Sequence, residues 1–131
     1  MIAALLLAAG CTISSSGLRF GSYDALKKTP ADAVATITYR CTGSGPARVS
    51  LGAGGEPNFD RRLRSGAASL RYNLYLDAAR TQVWGDGTRG TGFRTLAPNG
   101  SGTLSIFARI HGGQNVPAGE YQDSILVAID F

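Results

Sequence analysis

Apolar residues in this chain recur at every second position, in short runs broken by glycine, and this habit sets the class of fold. In "VATITYRC", Ala35, Ile37, Tyr39 and Cys41 fall on one side, with Val34, Thr36, Thr38 and Arg40 on the other. In "SLRYNLYLD", Leu70, Tyr72, Leu74 and Leu76 oppose Arg71, Asn73, Tyr75 and Asp77. "TLSIFARI" aligns Leu104, Ile106, Ala108 and Ile110, and from Tyr121 to Phe131 the odd positions read Tyr, Asp, Ile, Val, Ile, Phe. A period of two is the signature of a half-buried strand, because successive side chains leave a strand on opposite faces. No stretch supports a helix of normal length. The 18 glycines cluster between the runs and supply tight turns, so the expectation is an all-β sandwich or barrel.

Between these strands, "PARVSLG" reads as a further short strand and "TQVWGDG" as another, closed by the tight-turn pair Asp86-Gly87. "KKTPADA", "TGSG", "DAAR" and "HGGQNVPAGEY" read as turns and loops. The Gly/Asn-rich "AGGEPNFDRRLRSGAA" reads as one long loop. The length of 131 residues is that of one domain.

The formal charge is +4, from 13 basic and 9 acidic residues. One local cluster stands out, Arg61, Arg62 and Arg64, with Arg71 beyond it. No aromatic residues interleave with it and no recognition motif accompanies it, so it reads as a solvated loop and no nucleic-acid partner is expected.

Residues 1–10, "MIAALLLAAG", carry an uncharged apolar run from Ile2 to Ala9. It is too short to span a bilayer. Its apolar core and small-residue end match an export signal, without the usual basic start, so residues 1–10 read as an atypical or truncated signal peptide and 11–131 as the domain. A lipoprotein signal ending at Cys11 is a competing reading. So is a buried apolar strand or helical turn. In an exported chain the two cysteines, Cys11 and Cys41, default to a disulfide. Closing a loop of about 30 residues is worth roughly 3–4 kcal/mol in the chain-entropy model. Lipidation of Cys11 would instead leave Cys41 alone. Two cysteines and one distant histidine are too few for zinc.

Catalytic patterns are missing. His111 is the one histidine, and no G-x-S-x-G elbow accompanies it. The acids are dispersed, with no carboxylate pair marked by spacing. "GDGTRGTG" lacks the lysine and the following helix of a phosphate loop. No enzyme, cofactor or metal is expected.

At "YNLYLDAARTQVWGDGT" and "GGQNVPAGEYQDSILVAIDF" the sequence resembles the spore coat protein U domain family, secreted bacterial domains that include pilins of the archaic chaperone–usher pathway. "CTIS", "LRFGSYD" and the strand ending in Cys41 agree, so the likeness covers nearly the whole chain from Cys11 onward. The resemblance implies an incomplete immunoglobulin-like β-sandwich that lacks its last strand, with Cys11 paired to Cys41. It implies a groove lined by Ile125, Val127, Ile129 and Phe131, filled first by a strand of a periplasmic chaperone and then by a neighbouring subunit. An outer-membrane usher and a place at the cell surface, in adhesion and biofilm formation, follow with it. Tyr72, Asn73, Tyr75, Asp77, Arg80, Trp84, Gly85, Asp86, Gly87, Pro117, Gly119 and Tyr121 carry the family pattern, and read as packing and loop-fixing residues.

The terminal run fits this implication. Unguarded strand edges are normally blunted by charge, proline or a bulge, and nothing in the sequence after Ile125, Val127 and Ile129 does so. An in-chain N-terminal strand covering the edge is the competing reading. A polymerising pilin also needs an alternating donor segment before its first cysteine, and "MIAALLLAAG" does not alternate. If it is cleaved, the mature chain accepts a strand without donating one, which suits a tip position or a non-polymeric surface protein. Two alternatives remain at this point. One is a tip adhesin with Trp84, Phe93 and Phe59 as an exposed aromatic patch. The other is a secreted hydrolase using His111.

Overall fold

The computed structural model describes residues 7–8, 10–18, 20, 23–43 and 46–130. Most of segment 1–10, the Ser44–Gly45 part of the "TGSG" turn, Arg19, Gly21 and Ser22 of "LRFGSYD", and Phe131 lie outside them. Among the described residues, nine strands form two sheets. They are β1 (Leu7–Ala8), β2 (Cys11–Ser15), β3 (Ala31–Cys41), β4 (Ala47–Leu51), β5 (Arg62–Ser65), β6 (Ala68–Tyr75), β7 (Arg94–Leu96), β8 (Ser101–Ile110) and β9 (Val127–Asp130). A single 3-10 turn, Pro57–Phe59, is the helical content among the described residues, and no described helix is long and apolar enough to cross a membrane.

The larger sheet runs β1-β2-β3-β8-β6-β5, and the smaller runs β7-β4-β9. From β3 onward the chain passes back and forth between them, which builds a sandwich of the immunoglobulin-like kind. The alternating runs supply the filling. Ile13, Ile37, Leu70, Leu74, Ile106 and Ala108 come from the large sheet, and Val49, Leu51, Leu96, Val127 and Ile129 from the small one, all buried. β3 and β8 pair from Ala31↔Ile110 to Arg40↔Ser101, so the two longest strands form the backbone of the large sheet.

Three expectations need correction. The stretch read as one long loop contains β5, paired with β6 through Arg62↔Arg71 and Leu63↔Leu70. "TQVWGDG" makes isolated bridges, Tyr75↔Val83 and Trp84↔Gly92, in place of a strand. The terminal run is divided: Gln122 bridges Arg64 at the edge of the large sheet, residues 123–126 cross over, and only Val127–Asp130 forms a ladder with β4. Burial alternates throughout, with Ile125, Val127 and Ile129 all inside. The period of two therefore reported which side chains are buried, while the hydrogen-bond partner changed beneath it.

Candidate strand-acceptor edge

β9 is the last strand of its sheet. Its one ladder partner among the described residues is β4, with Val49↔Ile129 and Leu51↔Val127 in register. The Gly52 N–H donates to the Leu126 carbonyl at 2.8 Å, which fixes the phase of the ladder. In an antiparallel pair the main-chain groups alternate in direction from residue to residue. Leu126, Ala128 and Asp130 therefore face β4, and the N–H and C=O of Val127 and Ile129 point away from it. Main chain included, those same two residues are 1% and 7% exposed. The resemblance implies a groove lined by Ile125, Val127, Ile129 and Phe131; the first three are buried in this chain, and the outward main-chain groups of Val127 and Ile129 have no ladder partner among the described residues. Leu126, on the outer face beside them, is 66% exposed.

The other rim of the sandwich is fixed by the disulfide. Cys11 and Cys41 are direct partners across β2 and β3 and are bonded to each other. Both are buried. β1 lies along the outer side of β2.

What holds the segment leading into β9 is a buried guanidinium that the sequence reading placed on the surface. Arg61 is 0% exposed. It sits one residue before β5, on the same inward side as Leu63, and its main chain accepts from the Tyr72 N–H. Its Nε and Nη2 donate to the Gly52 carbonyl at 2.9 and 2.7 Å. Nη2 also reaches the carbonyls of Leu51 and Trp84, and Nη1 reaches Asn73 Oδ1 at 2.8 Å. Where β4 ends, its last carbonyls would be orphaned in the core, and Arg61 satisfies them from the opposite sheet. Burial lowers its pKa to about 10, against the opposing influence of Tyr72, Asp123 and Tyr75, so it is charged at neutral pH. Arg62 and Arg64 do face solvent and pair with Asp60 and Glu56. The missed signal was the alternation itself: Arg61 shares parity with Leu63, but its charge disguised an inward position.

Beside Arg61 lies a second polar contact inside the sandwich. The Tyr72 hydroxyl donates to Asp123 Oδ2 at 2.6 Å, and the Ser124 N–H donates to Asp123 Oδ1. Burial raises the Asp123 pKa, with the Tyr72 and Ser124 hydrogen bonds acting against it. Burial, then the bond to Asp123, raises that of Tyr72. A Cβ on Gly54 would stand 2.6 Å from Asp123 Oδ2, so the close approach of this loop to the terminal segment requires glycine.

The remaining pattern residues fix turns or fill space. The Asn73 amide donates to the Phe59 carbonyl. Tyr75 is buried at the end of β6. Asp77 accepts from the Thr81 and Gln82 amides and the Thr81 hydroxyl, and these bonds hold its pKa down to about 2. Arg80 adopts φ 58° and donates to the carbonyls of Ala108 and Ala78. Asp86 accepts from the Thr88 amide and hydroxyl, and Gly87 has φ 91°. At Gly85 a Cβ would lie 2.4 Å from Thr91 Oγ1. The Tyr121 hydroxyl donates to the Pro117 carbonyl, and Gly119 lies against Ser65.

An exposed aromatic patch is not built from the expected residues. Trp84 is fully buried, with its indole N–H donating to the Val49 carbonyl at 3.0 Å. Phe93 is half-buried beneath the Arg48 guanidinium at 3.9 Å, and Phe59 is half-buried near Arg61. His111 is half-buried in the turn after β8, where burial and the guanidiniums of Arg71 and Arg109 lower its pKa.

Comparison with known proteins gives a consistent picture. The family model described as Spore Coat Protein U domain matches residues 1–128. The chain is 32% identical over 139 residues to Protein U of Myxococcus xanthus, a match covering 92% of this chain and 77% of that one. Among solved structures, the fold resembles a chain in the CsuC–CsuE chaperone–tip adhesion subunit pre-assembly complex from the archaic chaperone–usher Csu pili of Acinetobacter baumannii. The TM-score is 0.65 at 23% identity over 92% of this chain, which spans 39% of the length of the solved one.

Proposed function

Because the chain belongs to the spore coat protein U domain family, we propose that it is an exported structural subunit of bacterial surface fibres, completed by a strand from another molecule and serving adhesion and biofilm formation. The observation that supports this reading is the edge of β9, where the outward N–H and C=O groups of Val127 and Ile129 have no ladder partner among the described residues. Strand addition uses such an edge. Four main-chain bonds supply about 2–6 kcal/mol net. Association costs about 4–15 kcal/mol, so the incoming strand must also bury apolar side chains of its own. A periplasmic chaperone supplies that strand first and a neighbouring subunit replaces it, with an outer-membrane usher as the site of exchange. Residues 1–10, which include β1, act as the export signal, and 11–131 as the mature domain, whose large sheet then begins at β2; N-terminal sequencing of exported protein checks this. The chain carries out no catalysis in this role.

The test targets main chain. Proline is tolerated on edge strands where its nitrogen faces away from the ladder. Ile129→Pro removes one outward N–H and leaves the pairing of Ala128 and Asp130 with β4 in place, and Ile129→Ala controls for lost side-chain volume. Co-purification with a periplasmic pilus chaperone is expected to fall for Ile129→Pro and persist for Ile129→Ala. Equal capture of both variants refutes strand addition at this edge.

A further inference from the structure

Val127 and Ile129 combine two properties that conflict. Their N–H and C=O groups point away from β4 and meet no ladder partner among the described residues. Yet, main chain included, the two residues are 1% and 7% exposed. Buried amides and carbonyls are almost always paired, because burial without a partner forfeits their bonds to water. A further piece of main chain therefore lies along the outer side of β9.

Its identity follows from what surrounds it. On the far side of β4, the Leu51 N–H donates to the Gly85 carbonyl and the Trp84 N–H to the Leu74 carbonyl, so residues 84–85 join β4 to β6 and close the sandwich there. β9 faces the opposite gap, whose other rim is β2 with β1 on its outer side. The short connector 42–46 sets the start of β4 beside the end of β3, and Arg48 is paired with Asp130. The Asp130 end of β9 therefore lies at the disulfide end of the sandwich, where Ala8 is opposite Cys11. Continued backward, the Leu7↔Thr12 register leads along β2 away from the disulfide, toward the Val127 end. Residues 1–6 reach ~20 Å when extended, and β9 needs about 10 Å. Asp123 stands at that far end. Burial raises its pKa, and one of the influences that lower it is the positive charge of the chain's amino terminus. The segment has no charge and no proline. Directly paired residues share a face, so Ile2, Ala4 and Leu6 take the side of Ala8, which is that of buried Cys11. Other positions outside the described residues come singly or in pairs, or follow β9 itself, and are too short to run beside a strand of four residues.

We propose that residues 1–6 lie along the outer side of β9, parallel to it, and pair with Val127 and Ile129 as an in-chain strand. In the uncleaved chain they hold the place of the strand that another molecule supplies; this second statement rests on the function proposed above, under which removal of the export signal frees the edge.

The experiment uses the full 1–131 chain, isotopically labelled, with its disulfide intact. The amides of Val127 and Ile129 are expected to exchange with solvent as slowly as those of the paired strands β3 and β8, and nuclear Overhauser contacts are expected between residues 2–6 and 127–129. Ala3→Pro with Ala4→Pro takes two N–H groups from the added strand and is expected to speed exchange at Val127 and Ile129 ~10-fold or more, with β3 and β8 unchanged. Ala3→Thr, on the outward side, retains the protection. Fast exchange of both amides in the wild type, absence of contacts to residues 2–6, or unchanged protection in the double proline variant each overturns the proposal. The wild-type contacts decide the location even if the double variant fails to fold. Such a failure leaves strand capture standing, since the Ile129→Pro test reads exported chain from which residues 1–10 are gone. Loss of capture with these contacts present sinks the proposed function alone.

Discussion

Replacing Arg61 by methionine leaves the sandwich with an unfilled polar demand at its centre. Three acceptors lose their donor, the carbonyls of Leu51, Gly52 and Trp84, while Asn73 Oδ1 loses Arg61 but keeps the Leu74 N–H. Each buried acceptor left unsatisfied costs about 1–3 kcal/mol, a gross loss of roughly 3–9 kcal/mol. Against this, the guanidinium no longer has to be taken from water. The lowering of its pKa by burial to about 10 corresponds to a penalty of about 3 kcal/mol. Methionine also restores some apolar contact, and water entering beside Gly52, which is only half-buried, relieves one acceptor. A net destabilisation of about 3–5 kcal/mol follows, the range for removing one partner of a buried charged network. Lysine carries the charge but cannot fork toward three carbonyls, so Arg61→Lys is expected to recover less than half of the loss. Urea unfolding followed by the fluorescence of Trp84, the one tryptophan and itself bonded to the core, measures both. A midpoint for Arg61→Met within error of wild type would show that the carbonyls find other partners and that Arg61 is not what joins the sheets at this end.

Removing the Cys11–Cys41 bond by paired serine substitution is expected to lower stability by roughly 3–4 kcal/mol, read as the shift in urea midpoint between wild type and variant under oxidising conditions. Tyr72→Phe deletes the 2.6 Å bond to Asp123 and is expected to cost about 1–2 kcal/mol, detectable in the same titration. For Asp123 the sign follows from its raised pKa: the native state binds the proton more readily than the unfolded chain, so this group's contribution to stability is lost as pH rises from the ordinary aspartate range through the folded value. Asp123→Asn is expected to flatten that part of the profile, as seen by comparing urea midpoints at pH 4 and pH 7.

The inward faces of β3, β6, β8 and the terminal run were legible in the sequence because burial imposes the period of two directly. Ile37, Leu70, Leu74, Ile106 and Val127 are all inside. β5 was not legible, since three arginines in "RRLRS" give the composition of a loop and its partner β6 is identified only by pairing. Trp84 was read both as a packing residue of the family pattern and as part of an exposed patch, and its burial with the indole N–H on the Val49 carbonyl fits the first reading. The open edge was invisible to periodicity altogether. A ladder lies in the plane of the sheet and side chains lie across it, so the alternation that marks Val127 and Ile129 as buried is silent on whether their amides have partners. Only the family resemblance pointed to an edge at this place.

That separation of plane and perpendicular decides how the candidate edge must be probed. Val127 and Ile129 are buried in the core and turn their amides away from β4. An aspartate at either position buries a charge in the sandwich, and the several kcal/mol this costs unfolds the domain before strand capture can be asked about. Loss of chaperone binding in such a variant carries no information on the edge. Leu126 is free of this conflict, because it is exposed and its main chain faces β4. Leu126→Lys places a charge beside the incoming strand while the core and the β4 ladder stay intact, which is how natural edge strands are guarded against pairing. If a strand is added at β9, Leu126→Lys weakens chaperone capture with little change in the urea midpoint. If capture persists at wild-type level, the added strand does not run along β9, and the edge of β1 and β2 on the other rim becomes the place to look.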